Sequence, residues 1–94
     1  MSVKTPKFER DCKRFISKRI LTQDQIDETI NIYLTDLSDH RIRLHPITCK
    51  HDKNRKSITV IGTQYRILLT IENDSPIFVR LVDHDEYDRI NKDC

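Results

Sequence analysis

The spacing of the apolar residues changes partway along this 94-residue chain, and that change limits the possible folds more than any other feature. Between residues 8 and 37 the apolar residues recur at intervals of three and four, which is typical of helices that cover a core. From Ser57 to Asp83 they alternate or run continuously, as in strands. Helices followed by consecutive strands predict an α+β fold, with a helical hairpin packed on one face of a small antiparallel sheet.

Two helices are predicted in the N-terminal part of the chain. Thr5 and Pro6 are typical of a helix start, and the pattern predicts a helix from about Lys7 to Arg19. The run Thr22-Gln23-Asp24-Gln25 matches a capping box and predicts a second helix over 23–38. The short link between the two helices indicates an antiparallel hairpin.

The remaining elements are predicted to be strands and a terminal helix. Strands are predicted at 57–61, 65–71 and 77–83, with short strands at 2–4 and 42–44 and a helix at 85–91. The length of the chain favours a single domain over residues 1–94.

Charge and cysteine content indicate the compartment and the class of partner. Residues 1–20 carry seven Lys or Arg against two acids, and residues 41–66 carry seven against one. This pattern fits either a surface for a polyanion or alternating solvated faces. No membrane span or secretory signal is visible, so we expect a cytoplasmic protein without membrane partners. Three irregularly spaced cysteines predict no disulfide framework.

Strand register predicts which side chains share a face of the sheet. Pairing Val60 with Tyr65, and Ile71 with Ile77, divides the strand residues into two sets. The set predicted to pack on the helices is Ile67, Leu69, Ile71, Ile77, Val79 and Leu81. The opposite set is Ser57, Thr59, Arg66, Arg80 and His84, above an apolar floor of Leu68, Phe78 and Val82.

This second set contains the chemistry that a phosphodiester requires. Arginines bind phosphate and stabilise the charge that develops on it, and a histidine exchanges a proton with the attacking or leaving oxygen. The alternative interpretation is structural, because strand arginines often pair with carboxylates such as Asp83 or Glu86. A histidine next to a turn is, in the same way, often only a surface residue.

Three stretches resemble the RelE/ParE superfamily of bacterial type II toxins. The C-terminal half resembles that superfamily in the run SITVIGTQYRILLTIENDSPIFVRLVDHDEYDRI, the start in PKFERDCKRF, and the linker in LHPITCKHDKNRKS. The resemblance implies a fold like that of small microbial ribonucleases. It also implies a metal-independent endoribonuclease that cuts mRNA on the ribosome by attack of the 2′-hydroxyl.

The resemblance also implies residue roles and partners. Arg66 matches the arginine that contacts the phosphate, His84 the catalytic histidine and proton donor, and Tyr87 the aromatic residue that stacks on or orients RNA. An antitoxin protein would neutralise the toxin, and the pair would bind operator DNA through the antitoxin.

The chain departs from the family pattern on its first long strand. Ser57 and Thr59 stand where some ribonuclease members have lysines, so Lys53, Arg55 and Lys56 of the preceding loop are expected to supply charge to RNA. Two alternatives stay open: a gyrase inhibitor of the ParE branch, or a catalytically inactive member that binds only the antitoxin.

A zinc site is the remaining alternative, built from four residues of the linker. His40, His45, Cys49 and His51 are ligand types that zinc accepts, but their spacing lacks the usual pairs. Solvent-exposed loop residues are the favoured interpretation, and neither a metal nor a cofactor is predicted.

Overall fold

The computed structural model describes residues 3–92 and 94 and has the predicted α+β architecture. Its helices are α1 (Pro6–Ser17), α2 (Gln23–Thr35) and α3 (His84–Lys92), with a 3₁₀ turn at His40–Ile42. Its strands are β1 (Val3–Lys4), β2 (His45–Pro46), β3 (Lys56–Thr59), β4 (Arg66–Glu72) and β5 (Ser75–Val82). The sheet order is β1-β5-β4-β3-β2, and every pair is antiparallel except β1 with β5. None of the helices described is both long and apolar enough to cross a membrane.

Local signals explain the starts of both N-terminal helices. The Thr5 hydroxyl accepts the amide of Phe8, and Thr22 and Gln25 form the reciprocal hydrogen bonds of the predicted capping box. Helix α2 is three residues shorter than predicted. Asp36 leaves the helical conformation, and its side chain accepts both the amide and the hydroxyl of Ser38, so a turn replaces the last helical residues.

The pairing of β3 with β4 confirms the predicted register. Thr59 lies opposite Arg66, Ser57 opposite Leu68 and Ile58 opposite Ile67. The Val60 amide donates to the carbonyl of Tyr65 at 2.9 Å, which closes the hairpin as predicted.

The pairing of β4 with β5 was only half correctly predicted. Leu68 lies opposite Arg80, but Leu69 lies opposite Phe78, so Val79 has no partner on β4 and forms a β-bulge. Ile71 pairs with Pro76 rather than with Ile77. The predicted contacts of Leu69 with Val79 and of Ile71 with Ile77 are therefore wrong.

The bulge moves Phe78 from the predicted open face to the helix side. Phe78 is fully buried there, and its ring centroid lies 5.8 Å from that of Phe8 and 6.0 Å from that of Tyr33. The other edge of β5 meets β1, where Thr5 donates its amide to the Phe78 carbonyl and its hydroxyl to the Val79 carbonyl. The start of α1 thus satisfies the backbone beside the bulge.

The helix side of the sheet holds the main apolar core. Its buried residues include Phe8, Phe15, Ile26, Ile30, Tyr33, Ile58, Ile67, Leu69, Phe78 and Leu81. The buried hydroxyl of Thr29 donates to the Gln25 carbonyl at 2.7 Å and accepts the Ile61 amide at 3.0 Å. A polar group inside this core is therefore fully satisfied.

The linker between α2 and β3 differs from its prediction in two ways. Its short strand lies at His45–Pro46 rather than at 42–44, because the 3₁₀ turn occupies residues up to Ile42. A disulfide also joins Cys49 to Cys94, against the expectation of none. The two cysteines are 45 residues apart in the sequence, and the α+β topology rather than any spacing motif brings them together.

Candidate active site

Three buried polar atoms without partners mark the face of the sheet opposite α1 and α2. They are Ser57 Oγ, Thr59 Oγ1 and Arg66 Nε, and none has a hydrogen-bond partner within the described part of the chain. The β3–β4 register places all three side chains on one face, above the fully buried Leu68 and Val82. Since buried polar groups are normally paired, three orphans side by side need an explanation.

Tyr87 of α3 lies against one member of this group, Arg66. Its ring centroid lies 5.0 Å from the Arg66 guanidinium carbon, a cation–π contact. Helix α3, which the sequence predicted, thus brings Tyr87 onto the face that carries Arg66.

The Tyr87 hydroxyl lies 2.9 Å from Nε2 of His45, whose Nδ1 lies 3.0 Å from the carbonyl oxygen of Arg43. Because a carbonyl only accepts, Nδ1 must carry a proton, and Nε2 of the neutral ring then accepts the Tyr87 hydroxyl. His45 pairs directly across β2 and β3 with Ser57, so it belongs to the same site. Arg43 has a φ of 48°, and its left-handed backbone aims this carbonyl at His45.

The sequence placed His45 only among possible zinc ligands and missed its place in this site. One signal was available. Pro46 favours an extended conformation for the residue before it, and a strand centred at 45 would have put His45 beside Ser57.

The structure does not bring His84 into this group. The predicted strand alternation stops at Val82 because Asp83 caps α3, its carboxylate accepting the Glu86 amide at 2.8 Å. His84 is the first residue of the helix, its side chain is 65% exposed, and its Nε2 lies 3.5 Å from the Asp88 carboxylate. The expected position diagonal to Arg66 on the strand is therefore wrong, while the role of His84 stays a prediction.

Arg80 lies on the predicted face but is bound by carboxylates. Its Nε donates to buried Asp11 at 2.7 Å, and its Nη2 reaches Glu86 at 3.4 Å. The hydrogen bond to Asp11 raises the pKa of Arg80 above its ordinary value. Asp11 also accepts the Leu81 amide, so this pair joins α1 to β5. The contacts of Arg80 therefore match the structural alternative, in which a strand arginine pairs with carboxylates.

The loop before β3 is attached to β4 through Asp52. Burial of Asp52 raises the pKa of its carboxyl, but hydrogen bonds from Thr70, Asn54 and Arg55 outweigh that effect and leave the pKa below its ordinary value. Arg55 is therefore paired, whereas Lys53 is exposed. Lys56 begins β3 and is half-buried.

The histidines considered for zinc do not converge. Cys49 is disulfide-bonded and His45 is hydrogen-bonded to Arg43 and Tyr87. In residues 3–92 and 94, no group of three or more His, Cys, Asp or Glu side chains is placed to hold a metal ion.

Comparison with solved structures shows which class of fold this is. The chain superimposes on YafQ from E. coli with a TM-score of 0.75 and 13% identity, over 93% of this chain and 96% of that one. A metal-bound toxin from Helicobacter pylori gives 0.73 and 16%, over 92% and 96%. A chain of the E. coli DinJ–YafQ toxin–antitoxin complex gives 0.74 and 12%, over 92% and 93%. Family models and curated proteins give no match to the sequence.

The fold implied by the sequence resemblance is confirmed by these neighbours. The chain has the fold of YafQ and of the H. pylori toxin, with the helical pair on one face of a five-stranded sheet. YafQ and the H. pylori toxin are similar to it over nearly their whole length.

Proposed function

We propose that this protein is the toxin of a type II toxin–antitoxin system and that it cleaves mRNA on the ribosome without a metal ion. The observation that carries the proposal is the group of unpartnered Ser57 Oγ, Thr59 Oγ1 and Arg66 Nε beneath the Tyr87–His45 pair. Two hydroxyls and a guanidinium on one face are donors suited to the non-bridging oxygens of a phosphodiester. Bound phosphate would supply the missing acceptors.

The neighbouring pair supplies a route for the proton of the 2′-hydroxyl. His45 Nε2 accepts it directly, or Tyr87 passes its own proton to His45 and takes up the proton from the ribose. The 2′-oxygen then bonds to phosphorus as the bond from phosphorus to the 5′-oxygen breaks. His84, by its resemblance to the family histidine, donates a proton to the leaving 5′-oxygen.

The loop before β3 and β3 itself offer further cations to the RNA on either side of the reacting phosphate. Lys53 is exposed, and Lys56 lies one residue before Ser57. We propose these two as contacts to the RNA backbone, with Arg55 and Arg80 contributing when RNA phosphates displace the carboxylates that now pair with them.

The test is a cleavage assay with purified protein, ribosomes and a defined mRNA. Cleavage is expected within codons, and Arg66→Ala should reduce its rate roughly 10²–10³-fold because a transition-state donor is lost. Arg66→Lys should recover part of that loss, since lysine keeps the charge but not the fork. His45→Gln and His84→Gln should each slow cleavage.

His51→Gln is the matched control, because His51 is an exposed histidine of the linker. Its cleavage rate should equal that of the wild type. Intact mRNA at every protein concentration would contradict the ribonuclease proposal. Inhibition of DNA supercoiling in the same samples would instead support the ParE-type alternative, and inactivity in both assays would support an inactive member.

An antitoxin partner completes the proposal. YafQ, which shares this fold, is described in a toxin–antitoxin complex with DinJ. Exposed Leu34 near the end of α2, exposed Leu37 just beyond it, and the basic outer side of α1 offer apolar and charged contacts to an acidic partner. Expression of this protein in the cytoplasm should inhibit cell growth, and co-expression with the product of a small adjacent reading frame should restore it. The complex of the two should bind operator DNA through that product.

A further inference from the structure

The Cys49–Cys94 disulfide joins the same two segments that meet in the candidate active site. Cys49 follows His45 in the linker between β2 and β3, and Cys94 lies just beyond the end of α3, which carries Tyr87. The Lys50 amide also donates to the Cys94 carbonyl at 3.3 Å. The covalent bond and the His45–Tyr87 hydrogen bond thus connect one pair of segments at two places.

Helix α3 has few other attachments. No residue of His84–Lys92 is fully buried. Apart from Tyr87, its described contacts to the rest of the fold include ion pairs of Glu86 with Arg14 at 2.9 Å and with Arg80 at 3.4 Å. Partly exposed ion pairs hold a helix only weakly. The covalent tie is therefore the strongest bond between the far end of α3 and the linker, beside the contacts of Tyr87 itself with His45 and Arg66.

We propose that the Cys49–Cys94 pair is a reversible redox latch, which holds α3 and Tyr87 over Arg66 when oxidised and releases them when reduced. The effect on RNA cleavage rests on the proposed function, whereas the effect on α3 does not. In the cytoplasm, where the proposed toxin acts, disulfides are usually transient or redox-sensing, which fits a switch better than a permanent staple.

The chemistry is thiol–disulfide exchange with a low-molecular-weight thiol. The thiolate attacks the sulfur of Cys94, which is the more accessible partner since Cys49 is only 6% exposed. Cys49 leaves as a thiolate and takes a proton, and a second thiol releases Cys94. Two protein thiols and one small-molecule disulfide result, and a small-molecule disulfide such as oxidised glutathione reverses the reaction.

The direction of the effect follows from the position of Tyr87. Oxidation fixes the Tyr87 hydroxyl at His45 and its ring at Arg66, so the site is assembled before RNA arrives. Reduction lets α3 leave the sheet for part of the time. Since small misplacements of catalytic groups are costly, cleavage by the reduced protein should be about tenfold slower or more.

The experiment compares the full chain after equilibration with oxidised glutathione and with dithiothreitol. Thiol titration after denaturation should give one thiol, that of Cys12, in the first sample and three in the second. Amide hydrogen exchange over residues 84–92 reports on α3 without reference to activity, and the cleavage assay is run on the same samples.

The variants separate the latch from general effects of oxidation. Cys94→Ser and Cys49→Ser should behave like the reduced wild type in both buffers, with exchange in α3 about tenfold faster than in the oxidised protein. Cys12→Ala, which removes the buried cysteine outside the pair, should keep the full redox response.

Each outcome decides the proposal. Faster exchange of α3 on reduction, absent in Cys94→Ser, supports the latch. Equal exchange in the two buffers, failure of the disulfide to form, or a redox response that persists in Cys94→Ser overturns it. Exchange that responds while mRNA stays intact in both buffers keeps the latch and rejects the ribonuclease.

Discussion

The two faces of the sheet treat buried polar groups in opposite ways. On the face that packs on α1 and α2, the buried hydroxyl of Thr29 both donates and accepts a hydrogen bond. On the face beneath α3, the buried hydroxyls of Ser57 and Thr59 have no described partner. The first arrangement stabilises the fold, and the second keeps hydrogen-bonding capacity for a ligand.

This difference gives a criterion that separates structural residues from functional ones. Burial alone does not separate them, since Ser57 and Thr29 are both fully buried. The two kinds of residue do differ in whether their buried polar atoms have hydrogen-bond partners. Substitutions on the helix face should therefore change stability, and those beneath α3 should change activity.

Phe78→Ala should have the largest effect on stability, because it empties the space between Phe8 and Tyr33. The free energy of unfolding should fall by about 3–5 kcal/mol. Urea denaturation followed by circular dichroism measures this change. Ile77→Ala is the control, since Ile77 is only half-buried and should cost well under half as much. Equal costs would mean that the bulge does not turn Phe78 inward.

Cys12 on the helix face should be almost unreactive. Burial raises the pKa of its thiol from the ordinary 9.0 to about 11. At neutral pH this leaves about a hundredth of the usual thiolate, so alkylation should be at least a hundredfold slower than for an exposed thiol. In the reduced protein, mass spectrometry should find Cys94 alkylated first and Cys12 last. Rapid labelling of Cys12 would show that the helix face opens easily.

Asp11→Asn should destabilise the join between α1 and β5, because it removes the anionic partner of Arg80 and weakens the contact to the Leu81 amide. We expect a loss of about 2 kcal/mol, less than for a fully buried ion pair since Arg80 is partly exposed. Thermal denaturation measures it, with exposed Glu28→Gln as the control. An unchanged midpoint would mean that solvent replaces the carboxylate at no cost.

The smallest change in stability is expected for Thr59→Val. A hydroxyl without a partner adds nothing to the folded state, so its removal should leave the free energy of unfolding within about 1 kcal/mol or raise it. The matched variant Thr29→Val should cost roughly 1–3 kcal/mol, because the Ile61 amide loses its acceptor. Cleavage should follow the opposite order, with Thr59→Val impaired and Thr29→Val normal. A large loss of stability in Thr59→Val would remove the distinction between the two faces.

Most of the fold could be predicted from local signals in the sequence. The capping box at Thr22, the threonine–proline start at Thr5 and the turn after Val60 each act over a few residues, and all three are found as predicted. The length of α2 was overestimated because the side chain of Asp36 competes with the helix, an outcome that periodicity does not report.

The site could be predicted only in part, because its remaining features depend on contacts between distant segments. Arg66, Ser57 and Thr59 share a face as the register predicted, and α3 brings Tyr87 to them. His45 joins through a two-residue strand too short to show a period. The pairings of Arg80 with Asp11 and of Cys49 with Cys94 span much of the chain and have no local signal.

The bulge at Val79 has a consequence for how this strand is compared with others. Residues two apart on a regular strand point the same way, yet Phe78 enters the core while Arg80 lies on the opposite face. The bulge thus shifts the alternation of inward and outward side chains by one residue, so the two halves of β5 alternate out of phase with each other. An ungapped alignment across residue 79 to a strand without the bulge exchanges inward and outward positions in one of the halves. Relatives that lack the bulge should therefore be matched in two segments, one ending at Phe78 and one starting at Arg80.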